Sequence, residues 1–185
     1  IGWYYTNWLT KLGRNTSMPT VEIGKNIIDD FVDTCAKKCR GQKTTLSIID
    51  LAEFSNTVPE KLNSFAQSIS KKLTNQEFKE VSDARYTTRE FAVSSKIDQV
   101  DLAHLALNMN NSEGTALSNA IKDAVKYNRT SNDINNAYGV SIYFPYRKTS
   151  SVDTACKTYN KIGMDSEYSQ CIKQFASLET AGQIS

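Results

Sequence analysis

The chain has one histidine and four cysteines, the residue types from which a nucleophilic site could be built. A nucleophilic thiol needs a histidine beside it to take up its proton. His104 lies in a helical pattern, and three of the four cysteines fall in apolar helical stripes, where a thiol is inert. We therefore expect His104 to be a packed or half-exposed helix residue. The four thiols are expected to be mostly buried: Cys35, Cys39, Cys156 and Cys171.

The spacing of the cysteines predicts neither a disulfide nor a zinc site. Cys35 and Cys39 lie on adjacent turns of one predicted helix, which is poor geometry for a bridge between them. No pair has CxxC spacing, and a single histidine rules out the usual Cys/His zinc cluster.

Carboxylates and glycines add no motif. Asp29, Asp30 and Asp33 can share a helix face, which we interpret as solvated, while Asp98 and Asp101 flank a helix start and favour its dipole. The glycines occur singly, so no phosphate-binding loop is present. The polar stretch 128–136 has oxygen atoms suited to calcium but lacks EF-hand spacing. The residues alone therefore predict no catalytic residue and no metal ligand.

Two short strands organise the predicted fold. Residues 138–146 are β-branched and aromatic, open near Gly139 and are stopped by Pro145. In this strand Ile142 and Phe144 share one face, while Tyr143 points the other way. A second strand is predicted at 45–51. Amphipathic helices flank both strands, which predicts a sheet with helices packed on it and an α/β or α+β fold.

Helical spacing of apolar residues predicts the other elements. We predict helices at 3–12, from Thr20 to about 40, at 57–73 behind a capping box, at 100–109, 115–127 and 152–162, and after Asp165. A further helix start is predicted at 74–77, leading to Phe78. Residues 82–96 show no clear period and are predicted as mostly loop, and 128–136 as a polar loop before the second strand.

The composition excludes some classes of protein. The 185 residues allow one domain or a large piece of one, and 39% hydrophobic with 23% charged residues is typical of a globular protein. No apolar run approaches the roughly 18 residues of a membrane span. The net charge of +2, with acids and bases interleaved, argues against a nucleic-acid surface. The chain begins at Ile1 without a methionine, so we expect a fragment or a processed product.

Several segments resemble the C-terminal half of clostripain-type cysteine peptidases. They are GWYY at 2–5 with Trp8-Leu9, LSIIDL at 46–51, Ala84-Arg85, IDQVDL at 97–102 and, above all, GVSIYFP at 139–145. Their order and spacing match over almost the whole chain. The GxSIYFPY motif after an asparagine-rich loop is fairly specific, whereas the helical spacings around it are generic.

The resemblance implies a caspase-like sheet flanked by helices, with a helical subdomain, of which residues 1–185 would be the C-terminal portion. Such enzymes cleave after arginine or lysine through a His–Cys dyad. Many mature by self-cleavage, and some depend on calcium. The implied partners are the N-terminal fragment of the same peptidase and a peptide substrate with Arg or Lys at P1. The implied location is secreted or in the cell envelope of a bacterium.

The family places both dyad residues before the GW-Y segment, so no catalytic residue is transferred to this chain. Gly2, Trp3 and Tyr4 are expected to bind substrate as a wall of the cleft. The alternative is that Trp3 and Tyr4 merely pack between sheet and helix.

Two other functions stay open from the sequence. One is a non-catalytic protein-interaction module with a partial caspase-like fold. The other pairs His104 with a local cysteine. The peptidase interpretation predicts an exposed apolar edge at which upstream strands would pair.

Overall fold

The computed structural model describes residues 4–182, of which about 65% are helical. The helices are α1 (Tyr5–Arg14), α2 (Thr20–Lys38), α3 (Leu51–Thr74), α4 (Phe78–Thr87), α5 (Leu102–Asn108), α6 (Ser112–Ala124), α7 (Val152–Lys161) and α8 (Ser166–Gly182). The strands are β1 (Thr45–Ile49), β2 (Glu90–Phe91), β3 (Gln99–Asp101), β4 (Val125–Thr130) and β5 (Ser141–Tyr143).

The strands form two small antiparallel sheets rather than one. β1 pairs with β4, Thr45 lying opposite Thr130, with an irregularity between Ile48 and Ile49. β3 lies between β2 and β5 in a three-stranded sheet. The α/β class with helices flanking a sheet is thus confirmed. The expectation that the two predicted strands share one sheet is wrong, since β1 and β5 lie in different sheets.

The hydrophobic core lies between the three-stranded sheet and helices α3 to α8. Its fully buried side chains include Phe65, Ile69, Leu105, Leu117 and Phe175. The core cluster begins at Val58 and contains no residue of α1, α2 or β1. One hydrophobic unit therefore joins α3 to α8 and the three-stranded sheet, and α1, α2 and β1 pack outside it.

Four predicted helices are confirmed. α1 falls at the predicted place, α2 begins at the predicted Thr20, α7 covers the predicted range and α8 follows Asp165. The apolar stripe of α8 is buried as its spacing predicts, at Tyr168, Cys171, Ile172 and Phe175.

The start of α3 was predicted six residues late. The helix begins at Leu51, where the Asp50 carboxylate accepts a hydrogen bond from the Glu53 N–H at 3.0 Å. The chain then continues through Pro59, which loses one backbone hydrogen bond but does not end the helix. The sequence prediction assigned Asp50 and Leu51 to the preceding strand, and so it missed this cap.

Short strands were missed where helices were predicted. β3 occupies the start of the predicted helix 100–109, and β4 takes the end of the helix predicted at 115–127 and the start of the loop at 128–136. The predicted loop at 82–96 contains the end of α4 and all of β2. β5 has only three residues of the strand predicted at 138–146. Ile142 and Tyr143 point to opposite faces of this strand, yet both are buried.

Candidate functional site

A buried ion-pair network joins several of the residues that carry the resemblance. Arg85 of α4 is fully buried and directs its guanidinium at three partners. Its Nε donates to the Phe144 carbonyl at 3.1 Å, Nη1 to the Glu90 carboxylate at 3.2 Å and Nη2 to the Asp98 carboxylate at 3.4 Å. α4 is thereby linked to β2, to the residue that precedes β3 and to the segment after β5.

Asp98 anchors the loop that follows β5. Its carboxylate accepts backbone hydrogen bonds from Tyr146, Arg147 and Lys148 at 2.9–3.1 Å. Arg147 in turn donates to Glu90 at 3.0 Å. The guanidinium groups of Arg85 and Arg147 thus neutralise the carboxylates of Asp98 and Glu90, so each buried charge has a partner of opposite charge.

The predicted role of Asp98 at a helix dipole is wrong, whereas the same prediction for Asp101 is confirmed. Asp101 is the N-cap of α5 and accepts a hydrogen bond from the His104 N–H at 2.9 Å. It also accepts one from the Tyr138 N–H at 2.6 Å. Burial raises the pKa of Asp101. Asp98 instead has a left-handed φ of 53° and points away from the helix into the network.

His104 is a half-buried helix residue, as predicted. Its Nδ1 accepts a hydrogen bond from the Arg89 N–H at 2.8 Å, which requires the neutral ring with its proton on Nε2. Burial, followed by the charge of Arg89, lowers the pKa of His104. The ring also lies 6.4 Å from the ring of Tyr138.

The thiols are mostly buried, which confirms the prediction. Cys35, Cys156 and Cys171 are buried and Cys39 is half-buried. Burial raises the pKa of Cys171 to about 12 and also raises the pKa of Cys35, so both are poor nucleophiles. Within residues 4–182, no hydrogen bond or ring contact joins His104 to a cysteine.

Of the three residues expected to bind substrate, only one can be described. Gly2 and Trp3 lie outside the described residues. The Tyr4 hydroxyl lies 3.6 Å from the Cys39 sulfur, and its ring lies 6.5 Å from the ring of Phe31. Hydrogen bonding to Cys39, with some burial, raises the pKa of Tyr4 to about 12. Tyr4 thus packs on the C-terminal end of α2, and its role in substrate binding stays a prediction.

The acidic face of α2 is only partly solvated, as Asp33 is exposed and Asp29 half-buried, while Asp30 is buried. Asp29 accepts hydrogen bonds from Arg129 at 2.8 Å and from the Tyr127 hydroxyl at 2.7 Å, and Asp33 accepts one from Arg129 at 2.9 Å. Desolvation acts to raise the pKa of Asp29, but these hydrogen bonds and the Arg129 charge outweigh it and lower the pKa. Side chains of β4 therefore pair with this face without burying it.

An open groove runs along the three-stranded sheet. Three adjacent cavities, of about 470, 390 and 400 Å³, share Gln99 of β3 as a lining residue. We call them together the Gln99 groove. The first runs between α3 and β5, the second reaches Thr45–Ser47 of β1, and the third borders α7. Ile97 and Ile162 line it and are exposed.

β1 has a free edge beside this groove. The Ser131 N–H donates to the Thr44 carbonyl at 2.8 Å, which sets the alternation of the ladder. Leu46 and Ile48 therefore direct their backbone groups towards β4, and Thr45, Ser47 and Ile49 direct theirs away. Among residues 4–182, no backbone hydrogen bond reaches this second edge.

The outer edge of β5 is closed by side chains. The Tyr143 N–H donates to the Tyr159 hydroxyl at 3.1 Å, and the Tyr143 carbonyl accepts from the Tyr168 hydroxyl at 2.8 Å. Both tyrosines belong to helices of the core. A strand could add to β1, but not at Tyr143 of β5.

The described residues hold no group of three or more His, Cys, Asp or Glu side chains that could bind a metal ion. In the loop suggested for calcium, the one carboxylate, Asp133, accepts a hydrogen bond from the Ser131 hydroxyl. Calcium dependence therefore rests on the resemblance alone. No helix of the described chain is long and apolar enough to cross a membrane.

Sequence reasoning without the resemblance missed the Arg85–Asp98 network. Arg85 lies in a segment without an apolar period, and no local pattern marks an arginine as buried. Only the matched segments at 84–85 and 97–102 pointed to these positions. Comparison with protein-family models, with curated proteins and with solved structures gave no match.

Proposed function

We propose that this chain is the C-terminal portion of a clostripain-type cysteine endopeptidase that cleaves after arginine or lysine. Its His–Cys dyad would lie upstream of Ile1 in the same protein. The free edge of β1 beside the Gln99 groove is the observation that carries the proposal. An incomplete sheet with an open strand is what the C-terminal part of a larger sheet domain would present.

The positions of the matched segments support the proposal. Arg85 binds the Phe144 carbonyl and Asp98, and the Ser47 hydroxyl donates to the Gly139 carbonyl at 2.8 Å. Gly139 has φ +105°, and a Cβ there would lie 3.0 Å from the Ser47 Cβ. Four of the matched segments therefore contact one another. Residues that depend on one another in this way are expected to recur together in a family.

In the whole enzyme the upstream cysteine would attack the substrate carbonyl, and the histidine would move the proton. Backbone N–H groups would stabilise the oxyanion. This chain would supply part of the sheet and its supporting core, with Gly2, Trp3 and Tyr4 as the wall of the substrate pocket.

Association with the upstream piece tests the proposal most directly. The 185-residue chain and the upstream product of the same gene would be co-expressed, and binding and cleavage of Arg and Lys peptide substrates measured. We expect the chain alone to be inactive and the assembled pair to be active. Replacing the upstream cysteine with alanine should abolish cleavage without weakening association.

Thr45→Pro probes the edge itself. Thr45 is exposed, and its N–H points away from β4, so proline removes an edge donor but no hydrogen bond within the chain. We expect weaker association and lower activity, while the control Thr45→Ala, which keeps the N–H, retains both. Equal association of the two variants would mean that β1 is not the docking edge.

The other two functions predict different results. An upstream sequence without a histidine and a cysteine at strand ends would favour an interaction module, for which the same groove would bind another protein. Cleavage by the isolated chain that is lost in His104→Ala would favour a local catalytic pair. Either result would overturn the proposed function.

A further inference from the structure

A cleft between the β2–β3 connection and α7 carries two cationic side chains. This α7 cleft is the third cavity of the Gln99 groove, with a volume of about 400 Å³, and is lined by the exposed Lys96 and Lys148 and by several hydroxyl groups. The hydroxyls belong to Ser95, Tyr143, Ser151, Thr154, Thr158 and Tyr159. The described residues that line it include no carboxylate.

The charge of the two lysines is not neutralised within residues 4–182. Neither ammonium group takes part in an ion pair there. The nearby Arg147 is paired with Glu90, and Arg85 with Asp98 and Glu90. The charges of the ion-pair network therefore cancel one another, and Lys96 and Lys148 give the cleft its net positive charge.

The N-terminus of α7 adds no free backbone donor at its first residue. A 3-10 turn at Thr149–Ser151 leads directly into the helix, and the Val152 N–H donates to the Thr149 carbonyl. The lysines and hydroxyl groups are therefore the donors of the cleft. Asp153, in the first turn of α7, does not line the cleft, and its carboxylate lies 3.5 Å from the Lys173 ammonium group.

The backbone segments that carry the two lysines are fixed to each other by hydrogen bonds to Asp98. Lys96 and Asp98 both have left-handed backbone conformations, with φ of 49° and 53°. Asp98 is fixed by the hydrogen bonds from Tyr146, Arg147 and Lys148 described above. The same carboxylate thus positions both lysine-bearing segments, and the site needs little rearrangement to bind a ligand.

We propose that the α7 cleft binds a small tetrahedral oxyanion, either inorganic phosphate or the phosphate group of a monoester. Lysine ammonium groups and hydroxyl donors suit such a group. The Tyr143 and Thr158 hydroxyls already donate to the Lys148 and Thr154 carbonyls, so Ser95, Ser151 and Thr154 are the hydroxyl donors that the proposal uses. The proposal does not depend on the peptidase function, because neither lysine lies in the segments that carry the resemblance.

Hydrogen–deuterium exchange of the 185-residue chain, alone or assembled with its upstream piece, tests the proposal. Inorganic phosphate and O-phosphoserine would be titrated separately at ionic strength held constant with chloride. We expect slower exchange confined to residues 95–99 and 148–159. The tighter of the two ligands identifies the source of the phosphate group.

Variants of the two lysines decide the outcome. Lys96→Ala and Lys148→Ala should each raise the phosphate concentration at half-protection by about tenfold, since each loses one charge-assisted contact. Lys157→Ala is the matched control on α7, because Lys157 is exposed and lines a different cavity. Protection that is unchanged in both lysine variants, or equally reduced by Lys157→Ala, would overturn the proposal.

Discussion

Two regions of the described chain differ in how completely their polar groups are hydrogen-bonded. The N-terminal layer consists of α1, α2, β1 and β4, and the helical core consists of α3 to α8 with the three-stranded sheet. α1 and β1 contain no buried residue, whereas the core buries side chains from every helix. Of the four buried polar side-chain atoms without a hydrogen bond in residues 4–182, three lie in the layer: Trp8 Nε1, Asp30 Oδ2 and Asn128 Oδ1.

The strand edges show the same contrast. In the core, two tyrosine hydroxyls close the outer edge of β5. In the layer, one edge of β1 has no described partner. An unpaired strand edge suits a surface that another segment covers. Under the proposed function, we infer that the upstream piece would dock on this edge of the N-terminal layer.

The largest expected effect comes from breaking the buried network. Arg85→Met leaves the Asp98 and Glu90 carboxylates buried without their cation, and we expect it to lower the free energy of unfolding by about 3–5 kcal/mol. Arg129→Met removes the comparable double ion pair of the layer, whose side chains are one-third or more exposed. This change should cost less than about 1 kcal/mol. Urea unfolding of both variants measures the difference, and equal losses would remove the contrast.

A pair of aromatic substitutions gives an intermediate effect. Tyr168→Phe leaves the Tyr143 carbonyl without its partner in the core, which should cost about 1–3 kcal/mol. Trp8→Phe removes an N–H that has no partner, so we expect a loss below about 1 kcal/mol, from reduced packing alone. Thermal unfolding reports both. A larger loss for Trp8→Phe would show that the layer is packed as tightly as the core.

The smallest effect is a pH dependence at His104. Burial and Arg89 lower its folded pKa, Lys122 lies 4.8 Å from the adjoining Tyr138 ring, and Asp101 caps its helix. In the window from the unfolded pKa of about 6.5 down to the folded value, the unfolded chain binds more protons. The free energy of unfolding is therefore unaffected by His104 above this window. It decreases as the pH drops through the window and becomes constant again below it.

Urea unfolding between pH 7.5 and 5.5 measures this dependence, and His104→Gln should flatten it. Asp101 has a raised folded pKa, so its effect has the opposite sign. The change in unfolding free energy that Asp101 causes occurs between its unfolded pKa of 3.8 and its raised folded pKa, on the acidic side of the pH range measured. A slope that persists in His104→Gln would assign the dependence to another group.

The sequence predicted the helices whose apolar residues repeat over several turns, such as α2 and α8. It could not predict β3 and β4, since strands of three to six residues that adjoin helices leave no period of their own. The start of α3 was predicted at Thr57 because Thr57 to Glu60 forms a capping box, while Asp50, the actual N-cap, was assigned to the preceding strand. Local patterns compete in such cases, and packing decides between them.

The candidate site was less accessible to sequence reasoning than the fold. Burial of Arg85 depends on Phe144 and Asp98, which lie 59 and 13 residues away. The free edge of β1 depends on which strand pairs with it, and β4 was not predicted. His104 and the buried thiols were predicted correctly because their setting is a local helical stripe. Gly2 and Trp3 lie outside the described residues.

Amide hydrogen exchange in β1, resolved residue by residue, tests the central claim most directly. The rates would be compared between the 185-residue chain and the whole protein that contains it. We predict that the amides of Thr45, Ser47 and Ile49 exchange quickly in the chain and slowly in the whole protein, while those of Leu46 and Ile48 are protected in both. Equal rates for Thr45, Ser47 and Ile49 in the two samples would show that no upstream strand adds to β1 and would contradict the account.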